Sequence, residues 1–74
     1  MEIFVFKTNI SCKRDLKMIS ALMDQIRIVN WNVDFEDIDR VLRIVTETVQ
    51  PKEVIQLMKS KGFHCEELPD YKNL

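Results

Sequence analysis

The chain has 74 residues, of which 46% are hydrophobic, and its 11 basic and 12 acidic side chains give a formal net charge of −1. This length fits a single domain, and the small net charge argues against a protein that binds nucleic acid or anionic lipid. No apolar run approaches the roughly 20 residues of a membrane span, and we expect no signal peptide and no membrane contact. Because Cys12 and Cys65 lie far apart in the sequence, we expect free thiols in a reducing, cytoplasmic compartment.

The first half of the sequence predicts a strand, a helix and a second strand. Ile3 to Phe6 form an unbroken β-branched and aromatic run, which is typical of a strand in the centre of a sheet. Apolar residues then recur at steps of three and four, which predicts a helix over residues 13–25 with Ser11 as its N-cap. Apolar and polar residues alternate from Val29 to Phe35, which predicts a half-buried strand at an edge of the sheet.

The second half predicts a third strand, a second helix and a fourth strand. A solvated acidic turn at residues 36–39 leads into a hairpin partner at residues 41–45. Pro51 suits the first turn of a helix, and Gly62 suits the position after its last residue. Phe63 to Glu66 then predict a short final strand.

The predicted order of elements is β-α-β-β-α-β, which is that of the ferredoxin-like fold. We expect an α+β two-layer sandwich in which a four-stranded antiparallel sheet, in the order 4-1-3-2, carries both helices on one face. We expect the domain to cover residues 1–68 and residues 69–74 to form a flexible tail.

The other face of this sheet is expected to be open to solvent. The sequence leaves undecided whether it carries Phe4 and Phe6 or Ile3 and Val5. Either pair gives an exposed apolar patch, and such patches are typical of surfaces that bind a partner.

Three segments of the sequence carry a resemblance to a known family. They are the loop Asn9-Ile10-Ser11-Cys12, the pattern Ile28-x-x-Trp31-x-Val33-x-Phe35-Glu36, and Lys61-Gly62-Phe63. With the order of elements, they resemble the heavy-metal-associated domain, a family that includes copper chaperones and the N-terminal domains of copper-transporting ATPases. The resemblance covers about residues 3–68. In that family a Met-x-Cys-x-x-Cys loop holds Cu(I) or another soft cation between two thiolates.

Carried over residue by residue, the resemblance gives Cys12 and Asn9 as candidate metal ligands. Cys12 corresponds to the second cysteine of the loop, and Asn9 stands in place of the first. Lys7 falls at the methionine position, and Phe63 matches the residue beside the metal loop. A thiolate with an amide oxygen is a poor donor set for Cu(I), so metal binding then needs Cys12 of a second copy or a cysteine of a partner protein.

No group of residues in the sequence predicts an enzyme. His64 and Cys65 point to opposite sides of a strand, so we expect a solvated histidine and a buried thiol. Cys12 lies at a helix N-terminus beside Lys13 and Arg14, a setting that favours a reactive thiolate and leaves a redox-sensing role open.

Two functional hypotheses follow. The first is a small non-catalytic binding module that resembles heavy-metal-associated domains, requires no cofactor, and binds a soft metal ion through Cys12 weakly or shared between two chains. The second is a metal-independent protein-interaction or regulatory domain of ferredoxin-like fold that forms a homodimer through its open sheet face.

Overall fold

The computed structural model describes residues 2–68, and the expected tail at residues 69–74 lies outside them. The six elements follow the predicted order: β1 (Glu2–Thr8), α1 (Lys13–Gln25), β2 (Asn30–Asp34), β3 (Val41–Thr46), α2 (Pro51–Ser60) and β4 (Cys65–Leu68). Within this described range, neither helix has the length and apolar character needed to cross a bilayer.

The four strands form one antiparallel sheet in the order β2-β3-β1-β4. Counted from the β4 edge, this is the 4-1-3-2 order expected from the sequence. β1 and β3 occupy the centre, and the alternating strand β2 lies at an edge, as its pattern predicted. The α+β class is confirmed, and the arrangement is compatible with the ferredoxin-like fold.

The orientation of β1, which the sequence left undecided, follows from its burial. Phe6 is fully buried in a core cluster, and Phe4 packs against the same cluster, whereas Ile3 is 45% exposed. Cross-strand partners share a face, so Leu42 and Ile44 lie with the phenylalanines and Val45 lies with Ile3. The core cluster contains side chains of both helices: Ile19, Leu22 and Met23 of α1, and Val54 and Met58 of α2. Both helices therefore pack on the face that carries Phe4 and Phe6.

The face turned away from the helices, here called the open face, has an apolar centre and a polar rim. Val5 and Val41 are fully buried within it, so its exposed apolar surface centres on Ile3. The strand register assigns to this face Ile3, Val5 and Lys7 of β1, Asn30, Asn32 and Asp34 of β2, Val41, Arg43 and Val45 of β3, and Glu66 and Leu68 of β4.

Both helices end in the same backbone motif. At the end of α2, Gly62 N–H donates to Lys59 O at 3.0 Å and Phe63 N–H donates to Met58 O at 3.0 Å. These are the two bonds of a Schellman motif, and Gly62 has the left-handed φ of 87° that the motif requires. The expectation for Gly62 is confirmed. Because the end of α2 uses the N–H of Phe63, β4 begins at Cys65 rather than at Phe63 as expected.

The end of α1 repeats the motif without a glycine. Arg27 N–H donates to Asp24 O at 3.1 Å, and Ile28 N–H donates to Met23 O at 2.8 Å. Arg27 takes the left-handed position, with φ 62°. Ile28 is buried by this turn and Val29 is left 92% exposed, so Val29 lies outside β2, although its alternation predicted a strand position.

We expect Arg27→Gly to raise the free energy of unfolding by roughly 0.5–1 kcal/mol, because a residue with a Cβ is strained in the left-handed region. Urea denaturation measures the change. Arg27→Ala is the matched control, since it removes the same side chain but keeps the Cβ, and it should give no such gain. Equal stabilities for the glycine and alanine variants would show that Arg27 stores no backbone strain.

Candidate functional site

The residues singled out by sequence lie at one end of the sheet, where three connections meet. The connection from β1 to α1 contains Asn9 and Cys12, and the loop from α2 to β4 contains His64. The turn between β2 and β3 is held here by Thr8, whose N–H donates to Asp39 O at 3.0 Å and whose hydroxyl donates to Arg40 O at 2.6 Å. This end, called the loop end below, brings Asn9 and His64 together.

Asn9 has a structural role at the loop end. Its side-chain oxygen accepts a hydrogen bond of 2.9 Å from the backbone N–H of His64. The bond joins the β1–α1 loop to the loop before β4, across 55 positions of sequence. The amide oxygen named as a candidate metal ligand is therefore already engaged within the fold.

Cys12 is exposed and occupies the N-cap position of α1 with extended backbone. The expectation that Ser11 is the N-cap is wrong by one residue. Ser11 instead donates from its N–H and its hydroxyl to Asp15 Oδ2, at 2.9 and 3.0 Å. The Asp15 carboxylate, in the first turn of α1, accepts both of these hydrogen bonds. Ser11 therefore lies in the loop before the N-cap.

The Asp15 carboxylate also shares its surroundings with Cys12. The backbone N–H of Ser11 is the main cause that lowers the pKa of Asp15, and desolvation partly opposes it. Weaker hydrogen bonds from the Ser11 hydroxyl and from the Cys12 thiol and N–H lower the pKa further. The folded state thus favours the ionised carboxylate. Its contribution to stability is present at neutral pH and is lost as the pH falls through the lowered pKa.

The other positions that the family resemblance singled out are occupied differently. Lys7, at the methionine position, is exposed on the open face, with Nζ 3.8 Å from Asp39 Oδ1. Ile10, within the loop itself, is fully buried in the core, and Phe63 is buried there as well. No pattern of residues indicated in advance that Ile10 rather than residue 7 would anchor the loop.

Cys65 and His64 lie as expected. Cys65 is 3% exposed in the core, and this burial raises the pKa of its thiol to about 12. His64 is exposed, and its Nε2 lies 3.8 Å from Glu66 Oε2. Over residues 2–68 there is no group of three or more histidine, cysteine or acidic side chains placed to hold a metal ion.

The open face carries a shallow depression of about 340 Å³ beside β2. Arg43 lines this depression: its Nη1 donates to Asn32 Oδ1 at 3.5 Å, and its Nη2 lies 3.9 Å from Asp34 Oδ2. Trp31 is half-buried and packs against the core from the opposite side of β2. The lining residues are Ile3, Asn30, Trp31, Asn32, Arg43 and Val45.

We expect Asn9→Ala to lower the free energy of unfolding by about 1 kcal/mol, because the N–H of His64 loses its acceptor at a partly hydrated position. Asn9→Asp keeps an acceptor oxygen and should stay close to the parent chain. Urea denaturation measures the free energy of unfolding of the three proteins. An alanine variant as stable as the parent would contradict the structural role of Asn9.

The two thiols should differ in reactivity. In the folded protein at about pH 8, iodoacetamide should modify Cys12 and spare Cys65, whose burial favours the neutral thiol. Peptide mass spectrometry before and after denaturation identifies the modified residue, and Cys12→Ser should leave the folded chain unmodified. Modification of Cys65 at the rate of Cys12 would contradict its buried position.

No protein-family model matches this chain, and no curated protein and no solved structure is significantly similar to it. The sequence and the geometry described above are therefore the basis for assigning a function.

Proposed function

We propose that the chain is a small, non-catalytic binding module of the ferredoxin-like fold that pairs with a second copy of itself through the part of its sheet that the helices leave uncovered. The observation that carries this proposal is the uncovered apolar surface around β2, where Trp31 and Val33 are half-buried at an edge of the sheet and the exposed Ile3 lies on the adjoining face. Exposed apolar surface with a polar rim is typical of contacts between proteins.

The chemistry of the uncovered sheet supports a protein partner. Half-buried Trp31 and Val33 lie along the β2 edge, and Asn30 and Asn32 line the adjoining depression. The apolar side chains offer contact area, and the amides offer hydrogen bonds in both directions. A second chain placed along this surface can bury the apolar side chains and form hydrogen bonds with the amides.

The donor set of the loop end argues against metal binding within one chain. The Asn9 oxygen accepts a hydrogen bond from the N–H of His64. The other cysteine, Cys65, is buried in the core. Cys12 alone supplies one thiolate, with the hard carboxylate of Asp15 as its neighbour. Cu(I) selects two or more soft donors.

A second candidate function is favoured by the exposure of Cys12. Its thiol lies on the surface at the loop end, so the Cys12 residues of two chains can approach each other. One Cu(I) between two such thiolates would make the pair a soft-metal carrier, as the resemblance to heavy-metal-associated domains implies.

Sedimentation velocity and Cu(I) titration of the reduced protein separate the two candidates. We expect dimers whose formation depends on concentration, is unchanged by a Cu(I) chelator, and is unchanged in Cys12→Ala. Tight binding of half an equivalent of Cu(I) per chain, together with dimers that require it and disappear in Cys12→Ala, would favour the metal carrier. A chain that stays monomeric at the highest concentration, with or without Cu(I), would contradict self-association.

The variant Asn9→Cys is a positive control for the titration. It supplies a second thiol three positions before Cys12, in the spacing of the family loop. If the loop end has the geometry of that family, this variant should bind one equivalent of Cu(I) per chain. It also shows that the assay detects a two-thiolate site in this fold.

A further inference from the structure

β2 is an edge strand with few of the features that prevent pairing with another chain. Among residues 2–68 it pairs with β3 alone, residue for residue, from Asn30 with Val45 to Asp34 with Val41. This register contains no bulge, and the strand sequence Asn-Trp-Asn-Val-Asp contains no proline and no lysine. Proline, lysine and bulges are the common means by which edge strands avoid pairing with other chains.

The other edge of the sheet is different. β4 carries adjacent acidic residues, Glu66 and Glu67, both exposed. Two copies of β4 would bring carboxylates together, and like charges placed opposite each other destabilise a strand pair. The sheet therefore has one protected edge and one edge open to pairing.

The side chains of β2 divide into two sets that suit a partner strand. Trp31 and Val33 are half-buried and pack against the core on the helix side. Asn30, Asn32 and Asp34 lie on the open-face side. A strand added at this edge would cover the outer sides of the apolar pair and meet the three polar side chains.

The geometry points to a second copy of β2 as that strand. We propose that two chains pair antiparallel along β2, about a twofold axis at Asn32. Trp31 then faces the partner's Val33, so the apolar sets of the two chains cover each other. Asn32 faces the partner's Asn32, where two amides can exchange hydrogen bonds, and Asn30 can donate to the partner's Asp34.

The existing contacts of these side chains leave room for the new bonds. Asn32 uses its Oδ1 to accept from Arg43, so its amide N–H groups can donate across the axis. Asp34 Oδ1 accepts from the N–H of Glu36 at 3.0 Å, and a carboxylate has about four acceptor sites. The strand is thus self-complementary in both shape and hydrogen bonding, as an isologous contact requires.

This inference rests on the proposed function and names the contact by which the pair forms. Pairing along β2 would join the two sheets into one of eight strands and bring the two open faces side by side. The depression lined by Asn30 and Asn32 would then occur twice, once on each side of the axis. Because a strand pair of five residues is a small interface, association should be weak and visible only at high concentration.

The test places a charge on the proposed axis. Asn32 is exposed, so Asn32→Lys and Asn32→Glu should both fold, which circular dichroism and urea denaturation check. Each variant alone should dimerise roughly fivefold or more weakly than the parent in sedimentation velocity, because like charges meet at the axis. An equimolar mixture of the two should recover the dimer, since lysine then faces glutamate.

A matched pair of isoleucine variants tests the rest of the open face. Ile3→Lys changes the exposed apolar side chain of that face, and Ile38→Lys changes a side chain that is 91% exposed in the β2–β3 turn. We expect both to dimerise like the parent. A parent dimer that survives in both Asn32 variants but is lost in Ile3→Lys would overturn pairing along β2 while keeping self-association. A monomeric parent chain would overturn the proposed function itself.

Discussion

The domain depends on the burial of one side of β1. This strand lies between β3 and β4 and places Phe6, fully buried, in the core cluster to which both helices contribute. Burial of one such side chain contributes about 1.5–3 kcal/mol, a large share of the stability of so short a chain. At the end of the same strand, Thr8 fixes the β2–β3 turn and Asn9 fixes the loop before β4. One strand therefore positions both the core and the loop end.

This arrangement changes the significance of Asn9. By its place in the sequence, Asn9 stands where the family resemblance would place a cysteine ligand. In the folded chain its oxygen closes a long-range hydrogen bond to His64, and Ile10 next to it fills the core beneath the loop. Both residues hold the loop in place by contacts within the protein, which leaves Cys12 as the exposed thiol of that loop.

Much of the fold could be predicted because it depends on local pattern. The period of the apolar residues gave the bounds of α1, the alternation around Trp31 placed β2 at an edge, and Gly62 marked the end of α2. The errors occurred where a competing hydrogen bond decided the outcome. Asp15 takes the donors of Ser11, and the end of α2 takes the N–H of Phe63. Residue types alone do not show which acceptor will bind a given N–H group.

The candidate site was harder to predict, for a related reason. The contact between Asn9 and His64 joins residues 55 positions apart, and neither residue type indicates the other. The orientation of β1 was likewise undecided, because Ile3, Phe4, Val5 and Phe6 are all apolar and alternation gives no contrast between its two faces. Only the packing of the helices against Phe4 and Phe6 distinguishes them.

The left-handed arginine at the end of α1 has a consequence for local stability. Arg27 precedes β2 by three residues, and β2 pairs with β3 alone among residues 2–68. A strained turn next to a strand with a single neighbour is a natural starting point for sub-global opening, in which β2 separates while β1, β3 and the helices stay folded. The amide protons of β2 would then exchange with solvent sooner than those of β1, so the surface offered to a second chain would open more readily than the central strands.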